Sequence, residues 1–241
     1  MLASDSVTNS RFTARAAIIP AALAALAMSV WAIGDANAET FQADAVEIEN
    51  MPGNLVVEIT QGTLIEIEIS GPAIATARVD LRMIAGFLRL DYEKPAIGKG
   101  PEIDVVLRIP EGMPLTIDDF SGTVDIGDLN SHLILRSGGK VVGKVGAVRS
   151  AEIQLNGGTS GLAIGDVSGA LEVGINGNGD ARVGSAGATE ISINGAGDVV
   201  MGQISGNLDV RINGGGDVVG GRVSGTFSVA INGSGKVISI K

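Results

Sequence analysis

Apolar and polar residues alternate along most of this chain. In "LIEIEIS", Ile65, Ile67 and Ile69 fall on one side and Glu66 and Glu68 on the other. A period of two is the mark of a half-buried strand. The same alternation runs through "AVEIEN", "LVVEIT", "ATARVDL", "FLRLDY" and "EIDVVLRI", with the turn signals "MPGN", "TQG" and "SGP" between runs. Helical periodicity is absent after residue 38, so residues 39–114 read as an N-terminal β region.

From Leu115 a second, longer period is added. Aligned on the residue before Gly, Asn156, Asn176, Asn194, Asn213 and Asn232 form one column, and Arg136 of "LILRSGG" takes the same slot. One position earlier stand Leu155, Ile175, Ile193, Ile212 and Ile231; three earlier stand Ile153, Val173, Ile191, Val210 and Val229. These read as inward aliphatic ladders. Four earlier stand Glu152, Glu172, Glu190, Asp209 and Ser228, an outward and mostly acidic ladder, with His132 in its first slot. A second corner, "GDVSG", "GQISG" and "GRVSG", centres on Val167, Ile204 and Val223, with Asp166 as a solvated loop position.

A fixed period near twenty means a solenoid in which each repeat covers its neighbour's open face. Residues 115–241 hold 28 of the 36 glycines, as corners that reach positive φ require. The predicted fold is all-β: a single-stranded β-helix of Gly-rich coils of about 18–20 residues, about six of them, stacked at the ~4.8 Å strand spacing. The N-terminal β region, 39–114, is expected to be continuous with these repeats.

Residues 1–38 read as a signal peptide. Arg11 and Arg15 precede the uncharged run "AAIIPAALAALAMSVWAIG", and "ANA" supplies a cleavage site after Ala38. A retained membrane anchor is the alternative, disfavoured by Pro20, the Ala-rich character and the Ala-Asn-Ala site. After cleavage no membrane span is expected. The chain is then exported, to the periplasm or the cell surface. It has no Cys, so it is stable without disulfides and is not a lipoprotein. Its net charge of −10 argues against nucleic acid and anionic membrane surfaces.

The recurring "INGxGD" has two readings. As a corner, Asn tolerates the left-handed region, bonds to nearby backbone and can stack into an amide ladder. As a metal site, Asp180, Asp198 and Asp217 would form a calcium column. The corner is favoured. One such turn per coil is half of what calcium-loaded β-rolls supply, and Lys140 and Lys236 occupy the Asp column at its ends. No cofactor is expected.

For catalysis the densest carboxylates are Asp118 and Asp119, with Asp125 and Asp128 nearby, and the lone imidazole is His132. Glycosidases use two placed carboxylates, but solvated corners are commoner, and no nucleophile elbow or metal spacing is present. Beyond the signal the aromatics are Phe41, Phe87, Tyr92, Phe120 and Phe227, with Phe227 in the core column of Leu171 and Leu208. The first and last coils are expected to present open strand edges, blunted at the end by Lys236 and Lys241.

The order "GFLRL", then "VVLRIPEGMPLTIDDFSGTVDIGDL", then repeats of "INGxGDV" and "GxVSG" resembles the bacterial head GIN domain family, candidate auto-transporter adhesins. The resemblance covers residues 41–241. It implies an exported, right-handed β-helix with no catalytic residues, and without a C-terminal membrane barrel in residues 41–241 auto-transport is not expected. The expected function is a non-catalytic binding or adhesion module in the cell envelope, contacting an envelope protein, a glycan or a second copy. Its preferred contact face is Glu152, Glu172, Glu190 and Asp209. The alternatives are a carbohydrate-active enzyme using Asp118 and Asp119, and a purely structural envelope protein.

Overall fold

The computed structural model describes residues 38–96, 100–158 and 160–239; the expected signal peptide lies outside these residues save for Ala38. Strands β1 (Glu39–Phe41), β2 (Ala45–Glu49), β3 (Pro52–Thr60) and β4 (Ile65–Ser70) precede a single helical turn, α1 (Ala73–Thr76). Strands β5 (Val79–Ile84), β6 (Phe87–Tyr92) and β7 (Ile103–Pro110) follow. The long β8 (Leu115–Ile126) and β9 (His132–Val145) each turn a corner and serve two faces. Thereafter long and short strands alternate: β10 (Ser150–Gly157), β11 (Gly161–Ile164), β12 (Leu171–Gly177), β13 (Asp180–Val183), β14 (Thr189–Gly195), β15 (Val199–Met201), β16 (Leu208–Gly214), β17 (Val218–Gly220), β18 (Phe227–Gly233) and β19 (Val237–Ser239).

These strands wind a three-sided solenoid of about seven turns. On the first face the leading halves of β8 and β9 stack in parallel with β10, β12, β14, β16 and β18. On the second face their trailing halves stack with β11, β13, β15, β17 and β19. The third face is narrow: single bridges join Val148, Val167, Ala186, Ile204 and Val223. From Leu115 onward seven strands, β8, β9, β10, β12, β14, β16 and β18, serve the first face, one more than the expected six; the first corner is a bulge at Asp118–Asp119 with no Asn-Gly pair.

The core is a set of aliphatic ladders. Ile153, Val173, Ile191 and Val210 are fully buried, as are Leu155, Ile175, Ile193 and Ile212 one step along. Branched aliphatic side chains of similar size thus stack coil on coil, as close-packed interiors require. Gly177, Gly195, Gly214 and Gly233 turn the next corner at φ from 132° to 142°. A Cβ at any of them would overlap the carbonyl oxygen of the glycine one coil earlier.

The register corrects the first repeat. Gln154, not Asn156, lies opposite Arg136, and Glu152 lies opposite Ile134. His132 faces Ser150 and is not part of the acidic ladder. A slip of two residues preserves the inward–outward alternation, so the hydrophobic pattern is blind to it, whereas a slip of one would turn every side chain over.

The two ends of the solenoid differ. Strands β2 and β3 stack in parallel on β8, and β6 and β7 stack in turn on β2 and β3. Antiparallel strands finish this end: β5 on β6, β4 on β7 and β1 on β4. The first Gly-rich coil, expected to be open, is therefore covered. At the other end β18 pairs only with β16 and β19 only with β17 among the described residues. Phe227 does stand in the column of Leu208, but it is 46% exposed instead of buried because no coil among the described residues covers it.

Candidate functional site

On the first face, outward residues alternate with the buried ladder, so one outward column runs the length of the coils. Glu152, Glu172, Glu190, Asp209 and Ser228 are in direct register. They line one side of a groove of about 590 Å³ at the corner between the third and first faces. The opposite side is made by small residues, Ala170, Ala188, Asn207 and Thr226, which leave the carboxylates accessible, and His132 and Ser150 close one end.

Carboxylates one strand apart repel one another, and two arginines offset part of this repulsion. Arg136 Nε and Nη2 donate to Glu152 Oε1 at 3.1 and 2.8 Å, and Nη1 lies 3.7 Å from Asp118 Oδ2. Arg211 reaches Glu190 and also Asp209 Oδ2, the latter at 3.2 Å. Its pKa is raised above the ordinary arginine value, chiefly by the hydrogen bond to Glu190 and then by the charge of Asp209. Glu172 has no ion-pair partner among the described residues, because the outward residue two positions on is Gly174. The ladder therefore contains one uncompensated carboxylate between two arginine-held ones.

The acidic surface extends further than the repeat indicates. In register beyond β8 on the same face lie Glu47 and Glu49 of β2, and Asp91 of β6. Arg89 holds Glu47 at 2.8 Å and Glu49 at 3.3 Å. Burial raises the Glu49 pKa most; Arg89 opposes this, while Glu47, Asp91 and Asp118 add to it. These residues belong to strands without the Asn-Gly phrase, so repeat alignment could not find them, although the alternation in "AVEIEN" marks Glu47 and Glu49 as outward.

The "INGxGD" residues form two columns of contacts. Asn176 Nδ2 donates to Asn156 Oδ1 at 2.7 Å, Asn194 to Asn176 at 3.0 Å and Asn213 to Asn194 at 3.0 Å. Asn232 continues this column on β18. Asp180 Oδ1 accepts the Asp198 backbone N–H at 3.0 Å, Asp198 that of Asp217 at 2.8 Å, and Asp217 that of Lys236 at 2.8 Å. Each carboxylate thus has one oxygen committed to the coil that follows. Among the described residues no group of three or more His, Cys, Asp or Glu side chains is placed to hold a metal ion.

Asp166 is exposed in a loop, as expected, and its Oδ1 accepts from both the backbone N–H and the hydroxyl of Ser185, at 2.7 and 2.8 Å. Those two bonds, the backbone one first, lower its pKa. The corner thereby gains an inter-coil link of the same kind as the Asp180 column.

The carboxylates of the enzymatic alternative have separate partners. Asp119, at φ 51°, pairs with Lys94, while Asp118 Oδ1 accepts the Asp119 backbone N–H at 2.9 Å and its other oxygen faces Arg136. His132 is exposed, with Nδ1 2.8 Å from Ser150 Oγ. A second cavity of about 480 Å³, between Asn50, Arg78, Asp80, Arg82, Asp91 and Lys94, mixes both charge signs. Its residues are scattered over three sequence segments and carry no motif.

In sequence, neither a protein-family profile nor a curated protein matches the chain. Solved structures do match in fold. A candidate adhesin from Bacteroides fragilis is 15% identical, with a TM-score of 0.52 over 86% of this chain and 97% of that one. A candidate lipid-binding protein from Parabacteroides distasonis is 16% identical, with a TM-score of 0.51 over 86% and 98%. At such identities the likeness concerns architecture, and the chain shares with these proteins the all-β solenoid fold.

Proposed function

We propose that this chain is an exported, non-catalytic binding module of the cell envelope, and that its ligand lies along the groove beside Glu152, Glu172, Glu190 and Asp209. One observation carries this reading: four carboxylates in register along an open groove, with Glu172 left uncompensated. A row of acceptors of fixed spacing suits an extended partner, either a basic protein segment or a hydroxyl-rich glycan. Among the described residues no aromatic side chain other than the His132 ring lines the groove, which favours the protein segment over a stacked sugar. The fold neighbours fit a binding scaffold, one being described as an adhesin and another as a lipid-binding protein. Export rests on the N-terminal sequence pattern. No helix of the described residues is long and apolar enough to cross a membrane.

The test is binding to washed envelope preparations and to an oligolysine peptide, comparing wild type with Glu172→Lys. A loss of about tenfold in affinity for both is expected, the worth of one favourable charged contact. Unchanged binding by the variant would overturn the groove reading. Hydrolysis of envelope glycan, abolished by replacing Asp118 and Asp119 with Ala, would overturn the non-catalytic one.

A further inference from the structure

The last coil differs from every other coil in what it leaves uncovered. Phe227, Val229 and Ile231 are the β18 members of the inward ladders, in register with Leu208, Val210 and Ile212 of β16. The β16 residues are 1%, 0% and 1% exposed; their β18 counterparts are 46%, 41% and 42% exposed. Val219 and Ile238, outward on the second face of the last two coils, are also exposed. An apolar cross-section and a free strand edge thus share one end of the molecule, a combination that templates pairing with another chain.

We infer that this end binds a second copy of the chain, tail to tail, about a two-fold axis perpendicular to the solenoid. Three features select this occupant. A two-fold axis places the mate's β18 antiparallel to β18, and the fold already accepts antiparallel strands on its parallel stack at the opposite end, where β5 closes on β6 and β4 on β7. Tail-to-tail contact sets one exposed apolar cross-section against another. Head-to-tail contact would set it against an end whose inward residues Leu88, Leu90, Ile65 and Ile67 are already buried under β5 and β1, with Met83, Ile84 and Phe87 exposed only around the β5–β6 turn. Finally, residues 218–239 contain Arg222 and Lys236 and no acid, in a chain of net charge −10. The repulsion between two acidic molecules is therefore weakest at this end. Because a two-fold contact uses the same end of both copies, assembly stops at the isologous dimer. This inference is independent of what the groove binds.

Sedimentation of the full chain is expected to give a dimer. The chain has no Cys, so Ala230→Cys supplies a single thiol, exposed on the outward side of β18 and at mid-strand, near the two-fold axis. A short bismaleimide is expected to convert this variant to covalent dimer. Replacing Phe227 and Val229 together with Lys is expected to give a monomer whose strand signal in circular dichroism is unchanged. A wild-type monomer at all soluble concentrations overturns the inference. So does an open series of oligomers in which Ala230→Cys fails to cross-link to itself, the signature of head-to-tail growth. If the lysine variant unfolds, the Ala230→Cys result decides alone.

Discussion

Asn194 donates from Nδ2 to Asn176 Oδ1 at 3.0 Å and accepts at its own Oδ1 from Asn213 at 3.0 Å. One amide is thereby tied to the coil before it and the coil after it. The buried ladders hold the coils together by contact alone, whereas the amide ladder also specifies which residue lies over which.

Replacing Asn194 with Ala removes both bonds at once. A loss of about 1–2 kcal/mol is expected, at roughly 1 kcal/mol per neutral hydrogen bond, which lowers the melting temperature by a few degrees in a chain of this size. Asn194→Asp should cost less than Asn194→Ala, because a carboxylate still accepts from Asn213 and loses only the bond donated to Asn176. Thermal melts of the two variants beside wild type check the order; equal stability of all three would show that the ladder does not contribute.

Glycine positions should separate sharply by environment. At Gly195, φ is 142° and an added Cβ would overlap the Gly177 carbonyl oxygen. Both conditions penalise Gly195→Ala, with an expected loss of about 3 kcal/mol or more. At Gly158 an added Cβ meets nothing within 4 Å and φ is outside the left-handed range, so Gly158→Ala is expected within about 0.5 kcal/mol of wild type. Urea titration of both variants measures the contrast.

Acid should weaken the chain partly through Asp166. Its folded-state pKa lies below the ordinary value of 3.8 because Ser185 donates to the carboxylate. A depressed carboxylate contributes stability that is full above the unfolded value and is lost as pH falls through the folded one. Asp166→Asn can accept the same bonds without titrating. Its melting temperature is therefore expected to fall less than that of wild type on acidification below about pH 4; coincident profiles would assign the acid sensitivity elsewhere.

Calcium should not matter to the corner. With one oxygen of Asp180, Asp198 and Asp217 committed to a backbone N–H, the melting temperature is expected to be the same in excess calcium and in chelator. A ligand that binds only the folded form raises it by mass action, so a calcium-dependent rise would establish a cation column on the remaining oxygens.

Strand alternation and the period near nineteen residues were legible in the sequence, and with them the all-β solenoid, the buried aliphatic columns and the outward line of Glu152, Glu172, Glu190 and Asp209. These features follow from side-chain direction, which local backbone geometry dictates at every second residue. The pairing of Arg136 with Gln154, the return of the chain from β7 to beneath β2 and β3, the closure of one end and the exposure of Phe227 at the other were decided only by tertiary structure. So was the division of the acidic ladder into carboxylates held by Arg136 and Arg211 and a free Glu172. A shift by two residues leaves the pattern of apolar positions unchanged, and a strand's place in the stack depends on which distant edge it finds. Alternation fixes the face a residue occupies; only contact between coils fixes its neighbour.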